Sequence, residues 1–231
     1  GLGGTLNLQG YGWDLGFGVP IDVAELPTRA VFASGNGLTV RRTVFARVGT
    51  FDDDYVNYYE DVDFCLRARR AGFRLALARD AVLRHAVAAS SGANAHRSFL
   101  LERNRIRTVL KHYPPGLLLK WLAREARFEL SASRWQPAGT FRRSWRWNLR
   151  GLGRILGFRR GAARQLGPFR AEGYEPYWGP GEYRMHNLFF KPDEDAWSPE
   201  TRIGENDFPV NDMRPCVTHC NFMSAAAIEK M

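Results

Sequence analysis

Eleven residues, Asn57-Tyr58-Tyr59-Glu60-Asp61-Val62-Asp63-Phe64-Cys65-Leu66-Arg67, restrict the fold more than any other stretch of the chain. Val62 and Leu66 recur four apart, Arg69-Arg70 follow, and Ala71-Gly72 close the run. Apolar residues at that spacing, acids in the first turn, bases in the last and glycine just beyond predict a short amphipathic helix. Asp52, Asp53 and Asp54 lie just upstream, and Phe51, Tyr55, Tyr58 and Tyr59 are interleaved with the acids. A helix N-terminus carries about half a positive charge and favours one or two acids. It does not account for a carboxylate run among aromatics, where burial raises pKa values and suits a carboxylate to accept a proton near neutral pH. On these residues alone both readings stand.

The flanking sequence adds context. Residues 1–28 are glycine-rich, with room for one short strand at Thr5 to Leu8, and read as loop. Asp14-Leu-Gly-Phe-Gly18 lacks the spacing of a dinucleotide fingerprint. Ala30 to Val40 predicts a strand interrupted by Ser34-Gly35-Asn36-Gly37, where glycine permits close backbone approach to a ligand and Asn-Gly equally suits a hairpin. Arg41 to Val48 predicts a helix stopped at Gly49. Strands are expected at Arg74 to Ala78 and at Asp80 to His85, and a helix from Phe99 to Tyr113, stopped by Pro114-Pro115.

In this order, the Ser34-Gly35-Asn36 turn, Val48-Gly49-Thr50-Phe51-Asp52, the Glu60-Asp61 pair, Ala71-Gly72-Phe73, Ala81 to His85 and Arg103-Asn104-Arg105 resemble the family 2 glycosyltransferases, in their rhamnosyltransferase-like branch. The likeness runs from about Gly4 to about Pro114. It implies an α/β fold, part of a Rossmann-like GT-A domain with a mixed sheet, and inverting transfer from a nucleotide-diphosphate sugar to a saccharide or lipid-linked acceptor. It implies Asp61 as general base, Glu60 as its orienting neighbour, and Ser34, Gly35, Asn36 and Tyr59 at the substrate. Asp63 reads as a helix cap or first-turn acid. Arg103 or Arg105, with Asn104, would reach the departing diphosphate, where charge develops. His85 would complete the site of a divalent cation, Mn2+ or Mg2+. The family's βαβ nucleotide-binding half, with its Asp-x-Asp, would precede Gly1; the chain begins with Gly rather than Met and reads as part of a longer protein that is inactive without that half.

Charge is distributed in blocks. Residues 1–96 carry ten basic and ten acidic side chains, residues 97–170 eighteen and three, and residues 171–231 five and eleven. Together with the likeness, this divides the chain into 1–114, a basic helical region at 115–170 and an acidic, proline- and aromatic-rich tail at 171–231. Leu117 to Leu130 predicts an amphipathic helix. From Gly139 to Gly167, Trp145, Trp147, Leu149, Leu152, Ile155, Leu156 and Phe158 are set among eight arginines. That pattern fits a helix lying in the plane of an anionic membrane, on the cytoplasmic face for such an enzyme, or a helix packed on the domain with a solvated basic face. The same charge could serve a non-catalytic module docking on membrane or nucleic acid, but no nucleic-acid motif accompanies it and no nucleic acid is expected. Cys216 and Cys220, with His219, match no common zinc spacing. Three cysteines make no disulfide framework.

Overall fold

The computed structural model describes residues 2–15, 30–78, 81, 95–132, 138–176 and 228–230. Strand β1 (Gly4–Leu6) pairs antiparallel with β2 (Gly12–Asp14), Thr5 opposite Trp13. The connection is shaped by Asn7, whose Oδ1 accepts from the backbone N–H of Gln9 at 3.1 Å and of Tyr11 at 2.9 Å. Asparagine commonly organises turns in this way. Gly10 has φ +89°, and a Cβ there would lie 2.6 Å from Val109 Cγ2. Only glycine lets the hairpin tip press this closely on the helix behind it. Phe32 joins Gly4 through an isolated bridge. The strand expected at 30–40 is otherwise absent: Gly35–Gly37 form a 3-10 turn and 38–40 have no regular structure.

Helix α1 (Arg42–Val48) ends at Gly49, and α2 (Glu60–Arg70) ends at Ala71, as their sequences predict. Val62 to Ala68 are buried without interruption, Asp63 and Arg67 included, so α2 is a central helix rather than a surface amphipath. Val44, Val62, Phe64, Cys65, Leu66 and Phe73 form a core with Leu6, Val31 and Phe32. Strand β3 (Phe73–Leu75) follows α2 and pairs antiparallel with β4 (Ile228–Lys230). The described strands thus make two antiparallel pairs, with one parallel bridge, Asn7 to Glu175. The strand expected at Asp80 to His85 lies almost wholly outside the described residues.

Four helices complete the body: α3 (Ala95–His112), α4 (Pro115–Ala132), α5 (Thr140–Arg150) and α6 (Leu152–Gln165). Proline at the first position of α4 loses no helical hydrogen bond. Ile106, Val109, Tyr113 and Trp121 form a second core, with Phe141 and Trp145 against it. Helices α5 and α6 pack on α3. The face that α5 turns inward is small and polar, namely Thr140, Ser144 and Asn148, and Asn148 donates to the Arg103 carbonyl at 2.9 Å. The basic stretch 139–167 is therefore not one in-plane helix. It breaks at Gly151, and several of its apolar residues face the protein. Trp147 stacks 4.2 Å from the Arg103 guanidinium, Ile155 is buried, and Phe158 meets His112 at 5.4 Å.

Charge in the interior fastens α2 to α3. Asp63 is fully buried and meets Lys111 Nζ at 2.5 Å, Arg67 Nε at 2.9 Å and His112 Nε2 at 2.9 Å. Burial alone would raise the Asp63 pKa; Lys111, His112 and Arg67 instead hold it well below the ordinary value. Burial pushes His112 down to about 4, so it is neutral, and its Nε2 proton goes to Asp63. Asp63 thus lies in the first turn of α2, one of the two places the sequence suggests, and serves there as an internal anchor rather than a cap.

This arrangement sets a pH dependence. A depressed histidine stabilises fully above its unfolded pKa and loses that contribution as pH falls toward the folded one. The His112 contribution, up to about 3 kcal/mol, is therefore expected to be lost between pH 6.5 and pH 4, with Asp63 adding further loss below, while Asp61, whose pKa is raised, gains stability over the same range. Across that range the melting temperature of wild type should fall by about 6–12 °C relative to that of His112→Gln. His112→Gln, which keeps a donor toward Asp63 but cannot titrate, should flatten this limb. A His112→Gln curve that runs parallel to wild type from pH 7 to pH 4 would contradict the assignment, since the comparison cancels the opposite contribution of Asp61.

Candidate active site

Three pieces of chain meet at the N-terminus of α2: the 34–37 turn, the β1–β2 hairpin and the loop before the helix. Asp61 stands half-buried where they converge. Its Oδ2 accepts from the Gly35 N–H at 2.7 Å and its Oδ1 from the Val62 N–H at 2.7 Å. Ser34 is half-buried, while Gly35 and Asn36 are exposed beside it. A Cβ at position 35 would sit 3.7 Å from Asp61 Oδ2, so glycine keeps the space before that oxygen clear.

Burial of the carboxyl, followed by repulsion from Glu60, pushes Asp61 up to about 7; the N–H groups of Gly35 and Val62 pull against the rise, and Asp14 adds to it. Such a group is a carboxylate for about half the time at neutral pH and holds a transferred proton well. Glu60 is also raised, by burial. Its Oε2 is enclosed with no hydrogen-bond partner among the described residues.

Asp52 and Asp54 are committed elsewhere. Asp52 binds Lys111 at 2.8 Å and Arg107 at 3.1 Å; burial would raise its pKa, but these cations lower it. Asp54 pairs with Arg107 and, at 2.8 Å, with Arg154. The acid run around 52–63 is thus sorted by surroundings. Asp52, Asp54 and Asp63 hold helices together, whereas Asp61 pairs with no cation among the described residues.

Tyr59 is brought to the site, but its hydroxyl is used by the backbone: it donates to the Gly10 carbonyl at 2.9 Å and accepts from the Gly12 N–H at 3.3 Å. It ties the hairpin to the helix. Cys65 Sγ accepts from the Ala33 N–H at 3.4 Å, and burial pushes the thiol up to about 12, so it is an inert anchor for the 31–33 segment. Asp14, at the end of β2, acts on Asp61 through its charge; in sequence it is marked by the glycine-rich stretch Asp14 to Gly18, which resembles a loop near the substrate sites of the family.

Arg103, Asn104 and Arg105 are all buried. Arg103 donates to the carbonyls of Asp54 at 2.9 Å and Tyr55 at 2.6 Å. Asn104 Nδ2 faces the carbonyls of Tyr55, Asn57 and Tyr58 at 2.9, 2.8 and 2.7 Å. Arg105 lies between Glu102 and Glu125 and donates to the Gln9 carbonyl at 2.7 Å. In this structure their donors are directed to internal carbonyls and carboxylates. The arginine-rich pattern looked like a solvated or ligand-binding face because its acidic and carbonyl partners come from distant parts of the chain.

His85 lies outside the described residues, as do Cys216, His219 and Cys220. Among the described residues no group of three or more His, Cys, Asp or Glu side chains is placed to hold a metal ion, so they do not by themselves make a cation site. No helix among them is long and apolar enough to cross a membrane.

The sequence model described as glycosyltransferase-like family 2 matches residues 18–109, a span that contains the 34–37 turn, α1, α2, β3 and most of α3. Neither curated proteins nor solved structures gave a match.

Proposed function

From a family 2-like glycosyltransferase segment in which Asp61 pairs with no cation among the described residues, we propose an inverting sugar transfer with Asp61 as the general base. The acceptor hydroxyl gives its proton to the Asp61 carboxylate as its oxygen bonds to the anomeric carbon. The bond from that carbon to the diphosphate breaks on the opposite face, and the nucleotide diphosphate leaves with the electron pair. No covalent intermediate is needed, so one base suffices. The observation carrying this reading is the contrast in environment: Asp61, raised to about 7, against Asp52 and Asp63, lowered by cations.

The donor is a nucleotide-diphosphate sugar and the acceptor a saccharide or lipid-linked glycan. Ser34, Gly35 and Asn36 line the acceptor side. A divalent cation, Mn2+ or Mg2+, would neutralise the leaving diphosphate, with His85 as the candidate ligand. The direct test is transfer from UDP- or dTDP-sugars by full-length protein, with and without Asp61→Asn, and with the anomeric configuration of the product determined.

A membrane surface is a second component of the proposal, on a narrower face than the sequence suggests. Leu149, Leu152 and Leu156 are exposed by 59, 38 and 42 %, and Leu119 by 70 %. A groove of about 620 Å³ on α5 is lined by Phe141, Trp145 and Leu149 alternating with Arg142, Arg146 and Arg150. Aromatic and leucine side chains between arginines suit the interface of an anionic leaflet, here the cytoplasmic face of the membrane. Leu149→Asp with Leu152→Asp is expected to reduce flotation with anionic vesicles at least tenfold while transfer to a soluble acceptor is retained. Equal flotation of variant and wild type would remove this face from the proposal, and a nucleic-acid gel shift of matching affinity would favour the non-catalytic basic module.

A further inference from the structure

The loop that delivers Asp61 is strained. Val56, Tyr58 and Tyr59 have φ of +65°, +68° and +69°, three non-glycine residues in the left-handed region within four positions. Such conformations persist only where the surroundings enforce them, and they gather at functional sites. Val56 is β-branched and 75 % exposed, so packing of its own side chain does not hold it there.

The enforcing contacts come from one carboxamide. Asn104, fully buried in α3, turns Nδ2 to the carbonyls of Tyr55, Asn57 and Tyr58, three oxygens of the strained loop. Its orientation follows from chemistry: Oδ1 among three carbonyl oxygens would repel them, whereas here it accepts from Arg103 Nε at 2.9 Å. Arg103 adds its own donations to Asp54 and Tyr55 and is itself braced by Trp147 of α5. The loop then enters α2, with Tyr59 as the residue before the helix and Asp61 in its first turn.

We propose that Asn104 is a positioning residue: its carboxamide clamps the 55–58 loop in its strained form and thereby sets the seat of Asp61 against Gly35. The clamp makes the left-handed turn the lowest state of the loop and fixes where α2 begins. Released, the loop relaxes toward ordinary φ, the first turn of α2 frays, and Asp61 loses its Gly35 contact and gains water. This assignment rests on Asp61 as the base, but the experiment that tests it does not require transfer.

The groups facing Asp61 are Glu60 on its own helix, Asp14 on β2, and Tyr59 and Cys65 through their own charges when ionised, along with the N–H groups of Gly35 and Val62. Titration of the Asp61 carboxyl by 13C NMR on this chain, assigned with Asp61→Asn, reads its surroundings directly. Asn104→Ala is expected to move that titration at least one pH unit down from about 7 and to speed hydrogen exchange of the Gly35 amide at least tenfold. Adding Val56→Gly to Asn104→Ala should stabilise the fold without restoring either value, because glycine removes the strain but not the need for a clamp. Should Asn104→Ala not fold, Asn104→Asp, whose carboxylate cannot donate to the carbonyls, is read in the same way. An unchanged Asp61 titration with unchanged Gly35 protection in any folded Asn104 variant overturns the proposal. A shifted titration with Asp61→Asn still active would leave the clamp standing and overturn the role of Asp61 instead.

Discussion

Asp61→Asn in the full-length protein is expected to lower kcat for sugar transfer by about 10²- to 10⁴-fold, the usual contribution of a general base. Asparagine has the same shape, and its Oδ1 can still accept from one of the Gly35 and Val62 N–H groups, though its Nδ2 cannot accept from the other. What it lacks is a lone pair basic enough to take the acceptor's proton. The loss should therefore fall on kcat and kcat/KM alike, with little change in donor affinity. Glu60→Gln should cost less, because it removes the neighbour's repulsion rather than the base itself.

The pH profile gives an independent check. A base must be ionised to act, so kcat/KM should rise about tenfold per unit below pH 7 and level above it. The same raised pKa has a stability consequence of the opposite sense. An acid whose folded pKa lies above its unfolded value stabilises most below the unfolded value, and that contribution is lost as pH rises through the folded one. The two states differ in this way for Asp61, raised from 3.8 to about 7. Asp61→Asn should accordingly melt higher than wild type at pH 8, by an amount reduced because the group is half open to water. Activity of the variant within threefold of wild type, or a profile flat from pH 5 to 8, would remove Asp61 from the base role.

Local pattern made much of the fold legible. The acid start, basic end and glycine stop of α2 appear in the structure within a residue or so, as do the Gly49 stop of α1 and the proline boundary between α3 and α4. These signals are carried by neighbours in sequence, which is why one sequence suffices. The convergence of Gly35 with Asp61 was read from a family resemblance, not from spacing, since nothing local relates residues twenty-six apart. The misread residues share one property: their partners are remote. Arg103, Asn104 and Arg105 look like a basic surface in sequence because the oxygens that consume their donors come from 9, 54–58 and 125. Asp63 looks like a cap because Lys111 and His112 arrive from α3. In α5 the inward face is Thr140, Ser144 and Asn148, and no hydrophobic stripe could have marked it as the packed side.

Arg105→Met is expected to be the most destabilising single change at a polar position, because it leaves two buried carboxylates facing each other. Arg105 is fully buried, and Glu102 and Glu125 are each 2 % exposed. The guanidinium bridges them and lies over the Tyr11 ring at 4.3 Å, while its donation to Gln9 ties α3 and α4 to the hairpin that carries Tyr59's partners. Both acids hold the arginine's pKa well above its ordinary value, and burial raises that of Glu125 against the arginine's pull. Breaking a buried pair by removing one partner costs about 3–5 kcal/mol, since the remaining charge is uncompensated. For a chain of this size that is a fall of about 6–20 °C in melting temperature. Methionine fills much of the volume, so packing loss is the smaller part. The loss should be deepest at pH 8 and shallower at pH 5, where Glu125, raised by burial, can keep a proton. Glu125→Gln added to Arg105→Met should recover part of it, whereas Arg105→Lys should not match wild type, because a single ammonium cannot span both carboxylates and the Gln9 carbonyl. A melting temperature for Arg105→Met within 2 °C of wild type at pH 8 would overturn the assignment of this joint to Arg105.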